Sequence, residues 1–354
     1  MPKLSIHRLP MAHPGDLSAL AALLDNGTLT APDIRAVIGK TEGNGGLNDF
    51  TRGYFTQSLM LLLAGATGQD ATALAARIPC VLSGGTEGAL SPHYLVFAVD
   101  KARSGPRGLA LGTAFSRPTP AAAIGRDVQI DQVSQAVRDA MAQAGIMRTE
   151  DVVLVQVKAP CAQAPGPEAR SDDPRLLMAL SRAAAAFGVG LALGDIAQGS
   201  EHDLLRDLQK SSNRASISSG IEVTANEVVV FGHADGWAPG LTAGVAPMAD
   251  LLDLGGVVEA FRTAGLDAAP SVPAAQRDRV LGVIAKGEPE RSGAIRGARH
   301  TMLGDTDLDA QRHLRGALGA IVASVAGTGQ VFVSGGAEHQ GPPGGGLVCV
   351  FARS

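Results

Sequence analysis

Aromatic side chains make up only 3% of the 354 residues, with a single Trp. Gly and Ala are plentiful instead, a composition that lets helices lie close against sheets. Cysteine is nearly absent. Cys80, Cys161 and Cys349 are far apart and odd in number, which argues against a disulfide framework or a CxxC metal knuckle and fits reduced thiols in a cytoplasmic protein. Charge is almost balanced, with 30 basic and 34 acidic residues for a net −4, and no long basic run occurs. Nothing therefore points to nucleic acid. The opening MPKLSIHRLP has no apolar signal core, and apolar runs such as SLMLLLAGA and AAAAFGVGLALG fall short of a membrane span. The histidines form no HxxxH or HExxH pair. GKT at Gly39–Thr41 fails as a phosphate loop because Ile34 stands where the motif needs Gly. The expectation is a protein with neither a nucleic-acid nor a membrane partner.

What the sequence does have is a serine motif used three times. LSGGTEG at Leu82–Gly88 returns as ISSGIE at Ile217–Glu222 and as VSGGAE at Val333–Glu338. Each copy follows the same larger order: a helix, a strand ending in Lys, an Arg with an apolar helix, a turn carrying the Ser, and a strand. The lysines are Lys40, Lys158 and Lys286; the arginines are Arg52, Arg182 and Arg315; the serines are Ser83, Ser218 and Ser334. The order holds while the intervals vary, as in diverged tandem domains. Asp16 and Asp131 are read as helix caps. The expected units span residues 1–103, 109–245 and 250–354.

Related domains pack about a rotation axis, which brings equivalent residues together. Three Lys, three Arg and three Ser are therefore expected at one central site. An Arg fork binds a carbonyl oxygen or an enolate-like anion. A Ser beside glycine amides can act as a nucleophile next to an oxyanion site. A Lys can take the serine proton only if burial and neighbouring positive charge keep it neutral. Glu87, Glu222 and Glu338 recur with the serines and are read as bonding turn amides. The Gly- and Pro-rich loop around His339 exposes carbonyls suited to a hard cation, with Glu288 as a nearby carboxylate.

The stretches GKTEGNGGLNDFTRGY, LSGGTEGALSPHY, SSGIE, RHTMLG and SGGAEHQGPPGGG resemble the cyanuric acid hydrolase and barbiturase family of cyclic amide ring-opening hydrolases, over the whole chain. The resemblance implies an α/β fold of three homologous domains around a pseudo-threefold axis, with the active site at their junction. It implies Ser218 and Lys158 as nucleophile and base, with Lys40 and Lys286 in the other two Ser–Lys pairs. Substrate would meet Arg52, Ser83, Gly84, Arg182, Ser218, Ser219, Arg315, Ser334 and Gly335. A structural divalent metal, Mg²⁺ or Ca²⁺, would be held by Glu288 and carbonyls of Ala337, Gln340, Gly341, Pro342 and Gly345. A homotetramer acting on a small cyclic imide is implied. Cyanuric acid is the expected substrate and barbituric acid the alternative; a non-catalytic small-anion binding protein is a rival of another class.

Overall fold

The computed structural model describes residues 2–100, 105–301 and 309–354. Met302–Gly304 of the RHTMLG stretch and the expected end of the first unit at 103 lie outside them.

The chain begins with β1 (Lys3–Pro10), α1 (Ser18–Asp25), β2 (Ile34–Thr41), α2 (Thr51–Thr67), a short α3 (Ala71–Ala75), β3 (Cys80–Gly84) and β4 (His93–Asp100). The same plan follows as β5 (Arg107–Pro118), α4 (Asp127–Ala144), β6 (Val152–Pro160), α5 (Pro174–Leu193), β7 (Ala215–Gly220) and β8 (Ala225–Asp235). It returns as β9 (Leu241–Met248), α6 (Leu254–Thr263), β10 (Val280–Gly287), a hairpin of β11 (Ala294–Ile295) and β12 (Ala298–Arg299), α7 (Ala310–Ala326), β13 (Phe332–Gly335) and β14 (Gly346–Arg353).

Among the described residues these strands form three four-stranded sheets, ordered β1-β4-β2-β3, β5-β8-β6-β7 and β9-β14-β10-β13. Each runs first strand, last, second, third. The second and third strands are parallel and the other pairs antiparallel. Each second strand also begins with a register shift against its last strand, at Ile34, Val152 and Val280.

The third sheet uses an opening strand that the sequence pattern did not reveal. β9 pairs with β14 along its whole length, so the expected boundary at 245 cuts through it and leaves Leu241–Val245 in the wrong unit. LTAGVAPM alternates poorly, and its burial pattern is broken. Two caps also differ from expectation. Asp16 Oδ1 accepts from the Ser18 amide, but the residue at the N-cap of α1 is Leu17. Asp131 lies inside α4, which starts at Asp127. α4 buries Val133, Val137, Ala140 and Ala144 on one face and stops at Gly145, whose φ of 71° a side chain would disfavour. α5 is long and apolar enough to cross a membrane, yet 72% of that window is buried inside the protein, which makes it a core helix.

Three of the few aromatics mark the axis. Phe97, Phe231 and Phe351 occupy the same position in β4, β8 and β14, and their ring centroids lie 4.9, 5.6 and 4.8 Å apart. All three are fully buried. Tilted and edge-on contacts of this kind add to the burial of apolar area. Equivalent residues of three equivalent sheets thus meet at one point, the signature of a pseudo-threefold arrangement.

Candidate active site

The site is built on the parallel strand pairs. Lys40 stands in register with Ser83 on β2 and β3, Lys158 with Ser218 on β6 and β7, and Lys286 with Ser334 on β10 and β13. Residues in register share a sheet face, so each Lys lies beside its own Ser. The serines sit at strand ends, not in the free turns expected from their glycines. Each Ser and the residue after it are still backbone-paired, and the turn begins beyond them.

Edge-strand chemistry joins the units. β3, β7 and β13 are edges of their sheets, and an edge leaves amides and carbonyls unpaired. Here the next unit satisfies them. Lys158 Nζ donates to Leu82 O at 2.9 Å, and Glu227 Oε2 accepts from the Cys80 amide at 2.8 Å. Ser83 Oγ and Lys40 Nζ donate to Val333 O at 2.8 and 3.4 Å. Gln340 Oε1 accepts from the Ile217 amide at 2.6 Å.

One cavity collects Arg52, Arg182, Arg315, Ser83, Ser218, Ser334, Gly84, Ser219 and Gly335, with Gly45, Leu82 and Met178 completing its wall. Every substrate-contacting residue expected from the sequence is in this set. Lys40, Lys158 and Lys286 form the layer behind it, each at most 2% exposed. Arg52, Arg182 and Arg315 emerge from the first half of α2, α5 and α7, so three helices point their guanidinium groups inward.

The recurrent glutamates take charged side chains as partners, not the turn amides expected of them. Each receives the Arg of a neighbouring unit: Arg315 pairs with Glu87, Arg52 with Glu222 at 2.8 Å, and Arg182 with Glu338 through two bonds of 2.8 and 2.6 Å. Glu87 and Glu222 also hold Lys40 at 2.9 Å and Lys158 at 2.5 Å. The ring of Arg–Glu pairs passes from unit to unit and fixes the three guanidinium groups around the cavity. The only sequence signal for it was the constant four-residue step from Ser to Glu.

Charge follows from burial. Burial lowers Lys40 to about 8 against the pull of Glu87, with Arg315 adding to the fall. Lys158 is lowered by burial, opposed by Glu222 and assisted by Arg52. Lys286 is lowered too, through burial and Arg182. Burial alone would raise Glu338, but Arg182 and Lys286 hold it at about 2. The centre thus contains lysines displaced toward the neutral amine, the form that can accept a proton.

The hydroxyls are linked across units. Lys286 Nζ donates to Ser334 Oγ at 3.0 Å, and Ser334 Oγ lies 3.0 Å from Ser218 Oγ. Ser219 takes the position of Gly84 and Gly335. Its hydroxyl donates to Met178 O at 3.2 Å and accepts from Arg182 at 3.4 Å.

A family model described as amidohydrolase ring-opening protein matches residues 5–353. The chain belongs to the family of ring-opening amidohydrolases. A cyanuric acid amidohydrolase of Azorhizobium caulinodans is 44% identical over 99% of both chains. One from Ectopseudomonas oleovorans is 42% identical over 99% of this chain and 100% of its own. A cyclic amide hydrolase of Azorhizobium caulinodans is 41% identical over 99% of this chain and 100% of its own. A solved cyanuric acid hydrolase, described as an evolutionary innovation by structural concatenation, superposes with a TM-score of 0.94 at 38% identity, covering 100% of both chains. The crystal structure of the Azorhizobium caulinodans cyanuric acid hydrolase gives 0.91 at 43% identity, covering 100% of this chain and 99% of that one.

In this ring-opening amidohydrolase the residues expected to hold a metal would offer it oxygen donors alone. Glu288 is 2% exposed, and burial and repulsion from Glu338 raise its carboxyl. A cation would relieve that cost. Arg291 lies 2.9 Å from Glu288 and 3.7 Å from Glu338. The carbonyls of Ala337, Pro342 and Gly345 accept the amides of Gln340, Gly345 and Glu288, each keeping a second lone pair. The Gln340 side chain is occupied by Ile217, Gly336 and Glu338, which leaves its backbone oxygen. Among the described residues no three His, Cys, Asp or Glu side chains gather as a metal site. The carbonyl-rich set fits Mg²⁺ or Ca²⁺. His339 is a structural spoke: its ring bonds Lys210 O at 2.7 Å and the Leu205 amide at 3.0 Å, edge-on to Phe187.

Proposed function

We propose that the protein is a cyanuric acid amidohydrolase that opens the triazine ring by serine acyl transfer. The observation that carries this reading is the convergence of three Ser and three Arg on one cavity, each Ser with a buried Lys in register behind it. Cyanuric acid has three equivalent carbonyl and N–H positions, which suits three equivalent Arg–Ser sets. Its relatives' names point the same way.

Ser218 is the nucleophile and Lys158 its base. The amine takes the hydroxyl proton while Oγ bonds a ring carbonyl carbon. Backbone amides at Gly84, Ser219 or Gly335 stabilise the oxyanion. The ring C–N bond then breaks, and its nitrogen receives the proton from Lys158. Water cleaves the ester to carboxybiuret, which loses CO₂ to give biuret. A second route is favoured by the chain Lys286–Ser334–Ser218, in which Lys286 would draw the Ser218 proton through Ser334.

Barbituric acid replaces one ring N–H by CH₂ and would leave one set mismatched. Loss of ultraviolet absorbance is to be followed for both rings on purified protein, with cyanuric acid expected to have the higher kcat/KM. Preference for barbituric acid would make the protein a barbiturase, and turnover of neither would leave an anion-binding module. A structural Mg²⁺ or Ca²⁺ at Glu288 and a homotetramer complete the proposal, to be read by elemental analysis of the purified protein and by sedimentation.

A further inference from the structure

Strand register arranges the axis-facing residues of each sheet in layers. The upper layer is His93–Lys40–Ser83, Glu227–Lys158–Ser218 and Leu347–Lys286–Ser334 in the three units. Two residues deeper come Leu95–Ile38–Val81, Val229–Gln156–Ser216 and Cys349–Ile284–Phe332. Below them lie the three Phe rings of the axis. The middle layer is apolar in the first unit and carries only a thiol in the third. In the second it holds an amide beside a hydroxyl.

Gln156 and Ser216 are both 0% exposed. Gln156 Nε2 and Oε1 and Ser216 Oγ have no hydrogen-bond partner within the protein. Buried polar groups are rarely left so, and several converging polar atoms are what an internal water needs. The upper layer of this unit is unusual too. Glu227 stands in register with Lys158, where the other units have His93 and Leu347. Its carboxyl oxygen ties the edge of β3 by accepting the Cys80 amide.

We propose that Gln156 and Ser216 hold an internal water beneath Lys158, and that this polar seat, with Glu227 beside it, distinguishes Lys158 from its two counterparts. These three residues are positioning residues, acting through the lysine. The inference rests on the reading of Ser218 and Lys158 as the working pair. Lys158 Nζ donates to Leu82 O and is ion-paired with Glu222. The titratable groups around it are Glu222 after β7, Arg52 on α2, Lys286 on β10 and Glu227 on β8, whose carboxyl burial pushes up to about 8. A water below would solvate the ammonium as the serine proton arrives. Ile38 and Ile284 offer Lys40 and Lys286 no such help.

The test replaces the seat by that of the first unit, Gln156→Ile with Ser216→Val. The variant should melt at or above the parent's temperature. Its kcat should fall about tenfold or more while KM stays within about twofold. Losing solvation lowers the lysine pKa further, so the acid limb of kcat should move to lower pH. An unchanged kcat and pH profile would overturn the proposal and make the pair a packing feature. If the double variant fails to fold, Ser216→Ala must shift the same limb in the same direction. A crystal structure that resolves ordered water must have one bonded to Gln156 and Ser216; a dry contact there contradicts the idea. Lys158→Ala separates the two levels. An active Lys158→Ala enzyme defeats the underlying assignment, whereas an inactive one with an unaltered seat variant defeats only this inference.

Discussion

At the scale of residues, the centre depends on keeping guanidinium groups fixed while amines lose their protons. Arg does not titrate in the working range, and its fork can be locked from two sides. Arg182 gives two bonds to Glu338 and a third to Ser219 Oγ, and still lines the cavity. Arg182→Lys keeps the charge and loses the fork. We expect kcat/KM to fall by about 10- to 100-fold, with a lower melting temperature; steady-state kinetics and a thermal melt read both. An unchanged kcat/KM would mean that the ring tolerates a point charge. The Ser, Lys and Arg triplets were legible in the sequence because type and order recur. The carboxylates were legible only as a repeated spacing, since nothing in SGGAE says that an arginine from another unit will reach its Glu.

At the scale of elements, the parallel strand pair is the device that matters. Register places Lys beside Ser, and the strand end delivers the Ser–Gly amides to the cavity. The residue after each Ser is Gly84, Ser219 or Gly335, and the three positions differ in room. A Cβ at Gly84 would collide with the Asp49 carboxylate, while at Gly335 it would meet, less closely, the Gln311 Oε1 at 2.7 Å, an atom held by one bond from the Gly336 amide. Asp49 is itself committed, accepting the Gly45 amide at 2.8 Å and the Thr51 amide at 3.1 Å. Gly84→Ala should therefore cost about 1–3 kcal/mol by overpacking, and Gly335→Ala clearly less. Denaturant unfolding of the pair checks the order, and equal losses would refute it. Most helices and strands could be read from periodicity. β9 could not, because its alternation is weak and its partner β14 lies about a hundred residues away.

At the scale of the whole molecule, three sheets of one plan meet at a phenylalanine cluster and are stitched by Arg–Glu pairs that cross between units. This makes assembly sensitive to acid. Glu338 is held at about 2 against an ordinary 4.5, and Glu87 and Glu222 are also lowered, by the Lys and Arg that outweigh their burial. A depressed carboxyl pKa contributes stability that is complete above the unfolded value and is lost as pH falls through the folded one. The melting temperature should accordingly drop between pH 4.5 and about 2. A Glu338→Gln variant should show a shallower drop, and parallel curves for the two proteins would contradict this role. The threefold plan was readable from three matched motifs; the axis itself was not, since three Phe residues spread along the chain look like ordinary core.

The most direct test of the central claim compares cyanuric acid turnover by Ser83→Ala, Ser218→Ala and Ser334→Ala in proteins shown to be folded. Loss of about a thousandfold or more in kcat for Ser218→Ala, with measurable turnover left in the other two, is the predicted result. A Ser218→Ala enzyme that keeps kcat within about tenfold of the parent would contradict serine acyl transfer at this centre.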